Sequence, residues 1–519
     1  MFRDFIVFTS VLVLVYYLTL MAIYLYCLLI SRRGLIAYFK SRYFGGEREI
    51  FESNLTPLIS IIVPAHNEEK SIVESVNSLR KLQYAHSEVI VVNDGSADRT
   101  LEVLIKSFGL VKVDRMLRSP RDAEGKELIT TMPVRGIYVS RDSSDVHDLI
   151  VVDKVNGGKS DALNAGILAS RHSLICTVDA DSILERNAIV KAVKPFLKDP
   201  EGTIGVGGVI RLANGCVFSG GKVSEVRLPG DFLPAFQTVE YLRSFLGSRF
   251  GLSQLNGLLI VSGVFAMLRK DLVLEVGGYN VNSLSEDMEI IVRVTEHELK
   301  KGKKRRVVFV PDPIAWTEAP TDMATLSRQR NRWQRGLIQT LFSFKHMLFN
   351  PSYGSVGLLA IPFLYLEMIG PVVEIYGFAT IPLFYFTGRL EESFFVLFLF
   401  SAVLFGILLS TLGILLQEFS EYPFTRFRDV AGLFSLGVLE NFGYRHLTLL
   451  WRLRAFYDYF RRRKEWGVME RTGFGETRKP AKNIWRGFVT LAILALLVAF
   501  LLAAATRLIL AHAAGLIGR

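Results

Sequence analysis

The chain has 519 residues, half of them hydrophobic, with a formal net charge of +11. That length leaves room for more than one domain. The basic excess argues against nucleic acid as a partner, because the bases lie beside apolar runs and no aromatic-basic motif of an RNA or DNA reader occurs. Three cysteines without a CxxC pair exclude a disulfide framework and a zinc cluster.

In chain order, residues 5–30, "FIVFTSVLVLVYYLTLMAIYLYCLLI", hold no charge over a bilayer-spanning length. No small-residue cleavage site follows, so the run reads as a retained anchor rather than a secretory signal. Further spans are expected near 355–388, 392–417 and 486–511. Arg32, Arg33, Lys40 and Arg42 follow the first, and "RRRK" (461–464) precedes the last; such flanks mark cytoplasmic sides and attract anionic lipid. Segment 428–460 is apolar but carries Glu440, Arg445, His446 and Arg452. A full crossing there would put "RRRK" outside, so an interfacial or re-entrant helix pair is expected, with both termini facing outward.

Between the first two spans, roughly 55–345, lies a polar region of α/β character. "LISIIVPAHNEE" (58–69), "EVIVVNDGSADRT" (88–100), "HDLIVVDKVNGGKSDALNAGILAS" and "SLICTVDADSILERNAIV" each read as strand, loop, helix. Four such units predict a mostly parallel sheet with helices on both faces and ligands at the strand carboxyl ends, where all these polar clusters fall. Stretch 112–147 reads as an inserted excursion without assignable chemistry.

The polar tips suggest a single chemistry. Asp94 in "NDGS" can accept from a ring N–H beside small residues that leave room for a flat group. Lys159 follows two glycines and opens a helix whose amino end favours anions. Asp179 and Asp181 straddle Ala180; in an extended segment both point to one side, where they repel unless a cation such as Mg²⁺ or Mn²⁺ carries a diphosphate between them. Each element alone is commonplace: a turn, a cap, a surface loop. Their order on successive strands is what carries weight. In "SLSEDMEIIVRV" (283–294) Asp287 either caps a helix or serves as a general base toward an acceptor hydroxyl. "LSRQRNRWQRG" (326–336) either lays a basic face on lipid, or sets Gln329 and Arg332 against a leaving diphosphate while Trp333 stacks on a sugar.

"VPAHNEE", "NDGSADRT", "NGGKSDALNAG", "DADS", "SED" and "QRNRW" occur in the order found in the membrane-integrated family 2 glycosyltransferases. This chain resembles that group, which includes cellulose, chitin, hyaluronan and poly-N-acetylglucosamine synthases. The resemblance covers about residues 57–340, with "SED" where many members have "TED". It implies a Rossmann-like GT-A domain on the cytoplasmic side of the cell (inner) membrane, a nucleotide-diphosphate sugar donor (a UDP-sugar foremost), Mg²⁺ or Mn²⁺, and a growing glycan as acceptor. Asp94 would then contact the nucleobase, Lys159 and Asp179 the nucleotide, Asp181 the metal with the diphosphate, and Asp287 would be the base. Gln329, Arg332 and Trp333 match QxxRW, the diphosphate clamp and acceptor platform.

The implied layout is a transmembrane helix and basic segment (1–50), the catalytic domain (51–325), an interfacial amphipathic helix (326–350) and further membrane and interfacial helices (351–519). "VEYLR" (239–243) and "VSGVFAMLRKD" (261–271) look like acceptor-side segments, and "WGVMERTGF" (466–474) falls where related synthases have an interfacial loop. The expected activity is inverting, processive extension of a β-glycan, passed across the bilayer with possible accessory export subunits. The alternatives are a single sugar transfer to a membrane lipid, or an inactive transporter or receptor.

Overall fold

A computed structural model describes residues 2–44, 56–84, 86–140, 148–219 and 222–461. The expected span at 486–511 and the 466–474 segment lie outside the described residues.

Helix α1 (Phe2–Phe44) runs into an α/β domain whose sheet has ten strands: β1 (Ile59–Ala65), β2 (Ser87–Asp94), β3 (Leu110–Val113), β4 (Val134–Ser140), β5 (Asp148–Lys154), β6 (Leu174–Val178), β7 (Ile183–Leu184), β8 (Thr203–Leu212), β9 (Phe265–Arg269) and β10 (Arg306–Thr317). Their order across the sheet is β3-β4-β5-β2-β1-β6-β9-β8-β10-β7. The centre, β5-β2-β1-β6, is parallel and its strands are apolar on both faces, as a sheet covered by helices on both sides requires. β9 runs antiparallel between β6 and β8, and β4 antiparallel beside β5, so the sheet is mixed. The excursion at 112–147 is thus partly sheet: it completes β3 and supplies β4 at one edge.

β1 lies between β2 and β6, so the chain leaves the first strand in both directions. That switch point opens a crevice at the strand carboxyl ends, where "NDGS", "GGK" and "DAD" are carried. Helices α2 (Ile72–Leu79), α3 (Thr100–Phe108), α4 (Lys159–Ala169), α5 (Ala188–Lys198) and α6 (Phe232–Leu242) follow, the last running into a π-helical turn over Arg243–Arg249. α4 is buried on nearly every side. Gly166 sits so close to Ile62 of β1 that any Cβ there would collide, which lets the helix lie flat on the sheet.

Helix α7 (Glu286–Lys300) and helix α8 (Met323–Ser343) complete the domain. Beyond them come α9 (Ile361–Phe386), α10 (Glu392–Leu399), α11 (Phe405–Leu416), α12 (Phe427–Leu439) and α13 (Tyr444–Phe460). Three helical stretches, Asp4–Lys40, Val356–Phe386 and Glu392–Leu416, are long and apolar enough to cross a membrane. The 428–460 segment folds as a helix pair, α12 and α13, turning at Gly443, whose φ of 114° suits glycine alone.

The helical part grips the sheet through the link between α11 and α12. Lys191 of α5 pairs with Glu421, Tyr422 donates to Glu185 (2.9 Å), and Arg211 of β8 donates to Ser420 (3.1 Å) between the rings of Trp316 and Phe424. Burial pulls the Arg211 guanidinium down to about 10.

Candidate active site

The tip of β2 is wired to the loop after β5. The two strands pair in parallel with Asp94 opposite Lys154. Asp94 Oδ1 accepts from Lys154 Nζ at 2.5 Å and from the Gly157 amide at 3.0 Å, while Oδ2 accepts from the Gly158 amide at 2.8 Å. Gly95 is needed for two reasons: its φ is 62°, and a Cβ would lie 2.6 Å from the Asn156 nitrogen. Gly158, at φ 87°, turns the chain into α4, whose first residue is Lys159.

Lys159 Nζ lies 2.7 Å from Asp179 and 3.0 Å from Glu286, joining the tip of β6 to the start of α7. Burial opposes its charge, but Asp179, Glu286 and then Asp287 outweigh that and hold the ammonium above the usual lysine range. Asp287 accepts from Ser285 Oγ (2.9 Å) and from the Met288 amide (2.8 Å). Burial and the adjacent Glu286 carboxylate push Asp287 above the usual carboxylate range. Glu286 goes the other way: burial raises it, but Lys159 and, among lesser causes, Arg332 bring it below.

Lys159 and Asp287 converge on one point. A Cβ built on Gly263 would stand 3.2 Å from Lys159 Nζ and 3.4 Å from Asp287 Oδ2. Around it lies a small cleft lined by Lys159, Thr177, Ser262, Tyr279, Glu286 and Asp287 among others. The "VSG" of 261–263, expected to be acceptor-side, forms its wall.

One expectation is corrected. Asp179 and Asp181 do not share an extended segment, because β6 ends at Val178 and the Ser182 amide bonds back to Asp179 O at 3.1 Å, closing a turn. Asp179 is engaged by Lys159, and the half-buried Asp181 lies at the turn beside Ser182. One carboxylate plus substrate phosphates is a normal ligand set for Mg²⁺ or Mn²⁺, so these residues fit a donor-borne cation. Among the described residues, the three side chains close enough to share an ion are Glu275, His297 and Glu298, but Lys301 and Arg305 already pair with their carboxylates.

α8, which carries the QxxRW residues, is clamped to the "SED" turn. Gln339 accepts from the Leu284 amide (2.8 Å) and donates to Asn282 O (3.0 Å). On its other side Gln334 donates to Met368 O (2.8 Å) and accepts from Arg452 (2.9 Å), tying α8 to α9 and α13. The helix is therefore held between the α/β domain and the apolar helices. Trp333 is 41% exposed, with the Arg330 guanidinium 4.5 Å from its ring centre. Arg330 itself is buried and pairs with Glu240 of "VEYLR" at 2.7 Å. Gln329 Oε1 is buried without a hydrogen-bond partner among the described residues.

Lys154 and the Gln339 clamp escape the motif reading, as do the particular roles of Glu286 within "SED" and Gly263 within "VSG". Lys154 left a signal, a cation at the end of an apolar strand beside the one carrying Asp94.

A mixed sheet with a crevice at its switch point, a lysine–carboxylate cluster and a half-buried carboxyl of raised proton affinity are the features of a glycosyltransferase with a GT-A fold. The "Glycosyl transferase family 2" model matches residues 60–116 and "Glycosyltransferase like family 2" matches 139–336, so the chain carries a family 2 glycosyltransferase domain. It is 26% identical over 282 residues to a poly-beta-1,6-N-acetyl-D-glucosamine synthase of Staphylococcus epidermidis, covering 54% of each chain. It is 26% identical over 295 residues to the probable glycosyltransferase YdaM of Bacillus subtilis, covering 56% of this chain and 58% of that one. The matches thus span about half the length of these curated relatives. Among solved structures, a mannosyltransferase from Pyrobaculum calidifontis, in complex with GDP-Man and Mn²⁺, matches with 16% identity and a TM-score of 0.48, over 86% of this chain and 100% of that one.

Proposed function

We propose that the chain is an inverting transferase that uses a nucleotide-diphosphate sugar, foremost a UDP-sugar, to extend a β-linked polysaccharide processively and pass it through its membrane helices. The catalytic domain would face the cytoplasm, with Arg32, Arg33, Lys40 and Arg42 at the carboxyl end of α1 on the same side. The observation that carries this reading is the convergence of Lys159 and Asp287 on Gly263, beside the turn on which the helix bearing Arg332 and Trp333 is seated. The likeness to a poly-N-acetylglucosamine synthase supports a polymer as product.

In the proposed mechanism the acceptor hydroxyl enters beside Asp287, whose raised proton affinity suits it to take that proton as the hydroxyl attacks the anomeric carbon. Attack in line with the departing diphosphate inverts the centre, so an α-linked donor yields a β-linked product. Lys159, already drawn to the carboxylates of Asp179 and Glu286, faces the leaving group, and Arg332 adds positive charge from α8. A divalent cation, held by Asp181 and the donor phosphates, would supply further neutralisation of the developing charge. Asp94 keeps one acceptor position on Oδ2 for a ring N–H of the base. Trp333 offers an exposed indole to the acceptor.

The test is nucleotide release from UDP-glucose, UDP-N-acetylglucosamine, UDP-glucuronate and GDP-mannose with purified protein and Mg²⁺ or Mn²⁺, followed by sizing of the labelled product. A polymer ladder supports the proposal. A single chloroform-soluble glycolipid would replace it with one-step transfer to lipid, and no release from any donor would remove the transferase reading.

A further inference from the structure

We propose that Lys154 is a positioning residue of the donor site, its buried ammonium fixing the Val155–Gly158 loop through Asp94 and Asp161. This rests on the transferase reading above. Lys154 is fully buried and its Nζ has three partners: Asp94 Oδ1 at 2.5 Å, Asp161 Oδ2 at 2.5 Å and Val155 O at 2.7 Å. An ammonium has three protons to give, so the set is complete.

Each carboxylate then shapes the loop. Asp94 holds the amides of Gly157 and Gly158, which fixes the turn that delivers Lys159 to the cleft. Asp161, in the first turn of α4, accepts from the Met132 amide at 3.1 Å and 3.3 Å, and lies so near Gly157 that a Cβ there would strike its carboxylate. The Val155 amide bonds to Pro133 O at 2.9 Å, and the Met132 side chain closes on Gly157. The end of the 114–133 stretch is thereby fastened to the same loop. Without the ammonium, two carboxylates would face each other in a dry pocket, and the loop would have to reorganise or bind protons. Lys154 touches no reacting atom in this scheme. It sets the one remaining acceptor position of Asp94 and the direction of Lys159.

The test uses the full chain in detergent and titrates UDP with Mn²⁺ by calorimetry, or GDP with Mn²⁺ should that be the nucleotide held. Lys154→Met is expected to weaken nucleotide binding about tenfold or more. Lys154→Met/Asp161→Asn removes one charge of each sign and is expected to recover the thermal midpoint without recovering affinity. Lys154→Met/Asp94→Asn is expected to bind no more weakly than Asp94→Asn alone, because Lys154 acts through that carboxylate. Wild-type affinity in the Lys154→Met/Asp161→Asn protein, or losses from Lys154→Met and Asp94→Asn that multiply, would overturn the proposal while leaving the transferase intact. Failure of the wild-type chain to release nucleotide from any donor would instead remove the reading on which it rests.

Discussion

Gly336 of α8 lies directly against Ser285, the residue before Glu286 and Asp287: a Cβ at 336 would sit 2.5 Å from the Ser285 Cβ. The helix bearing Arg332 and Trp333 is thereby seated on the turn that presents the candidate base. Gly336→Ala should push the two apart by a few tenths of an ångström or more. Turnover is expected to fall about tenfold, since small misplacements at a reacting centre are costly. Donor binding should be nearly unchanged, which initial-rate and nucleotide-binding measurements on the same protein would check.

Asp287→Asn should lower turnover by about 10²–10⁴ and spare nucleotide binding, the mark of a lost general base. Substantial turnover in that variant would assign the base elsewhere.

The pH profile gives an independent check. A base works only when deprotonated, and burial together with Glu286 raises the Asp287 pKa, so activity should fall away at a higher pH than for an ordinary carboxylate as the solution is acidified. Glu286→Gln removes the neighbouring negative charge and should move that acid limb to lower pH. It also takes a partner from Lys159, so the maximal rate should fall as well. A limb that stays in place would contradict the coupling.

Asp181→Asn should raise the Mn²⁺ concentration needed for half-maximal activity by about tenfold or more, with the nucleotide's metal-free affinity little altered. A metal titration of initial rates distinguishes this from a general loss of folding.

Arg330→Lys keeps a charge opposite Glu240 but gives up the planar guanidinium over Trp333. The expected outcome is weaker use of acceptor with an unchanged KM for donor. Measuring both saturation curves would show it.

The motif order was legible because each cluster ends a strand, and the parallel centre of the sheet brings strand ends together whatever the side chains do. What escaped has a physical cause. The same-side argument for Asp179 and Asp181 assumed extended backbone, but a hydrogen-bonded turn replaces the strand after Val178. Glu286 sits beside Asp287 and reads as a cap, yet its charge goes to a lysine more than a hundred residues earlier, a pairing set by topology alone. Stretch 112–147 looked like an insertion because β3 is four residues long and too short to show a period, and β4 is only half-buried. The apolar helices, by contrast, declare themselves by composition alone.

The grip of the α11–α12 link on the sheet has a practical consequence. Glu185, Lys191 and Arg211 are all nine-tenths or more buried, and each has a partner in residues 420–422. A soluble fragment cut after α8 would leave Lys191 without Glu421 and Arg211 without Ser420 and the Phe424 ring, take the Tyr422 hydroxyl from Glu185, and uncover the Trp316 ring along that edge. Such an excised domain should aggregate or lose its outer strands, so enzymology on this protein belongs with the intact chain in a lipid mimic.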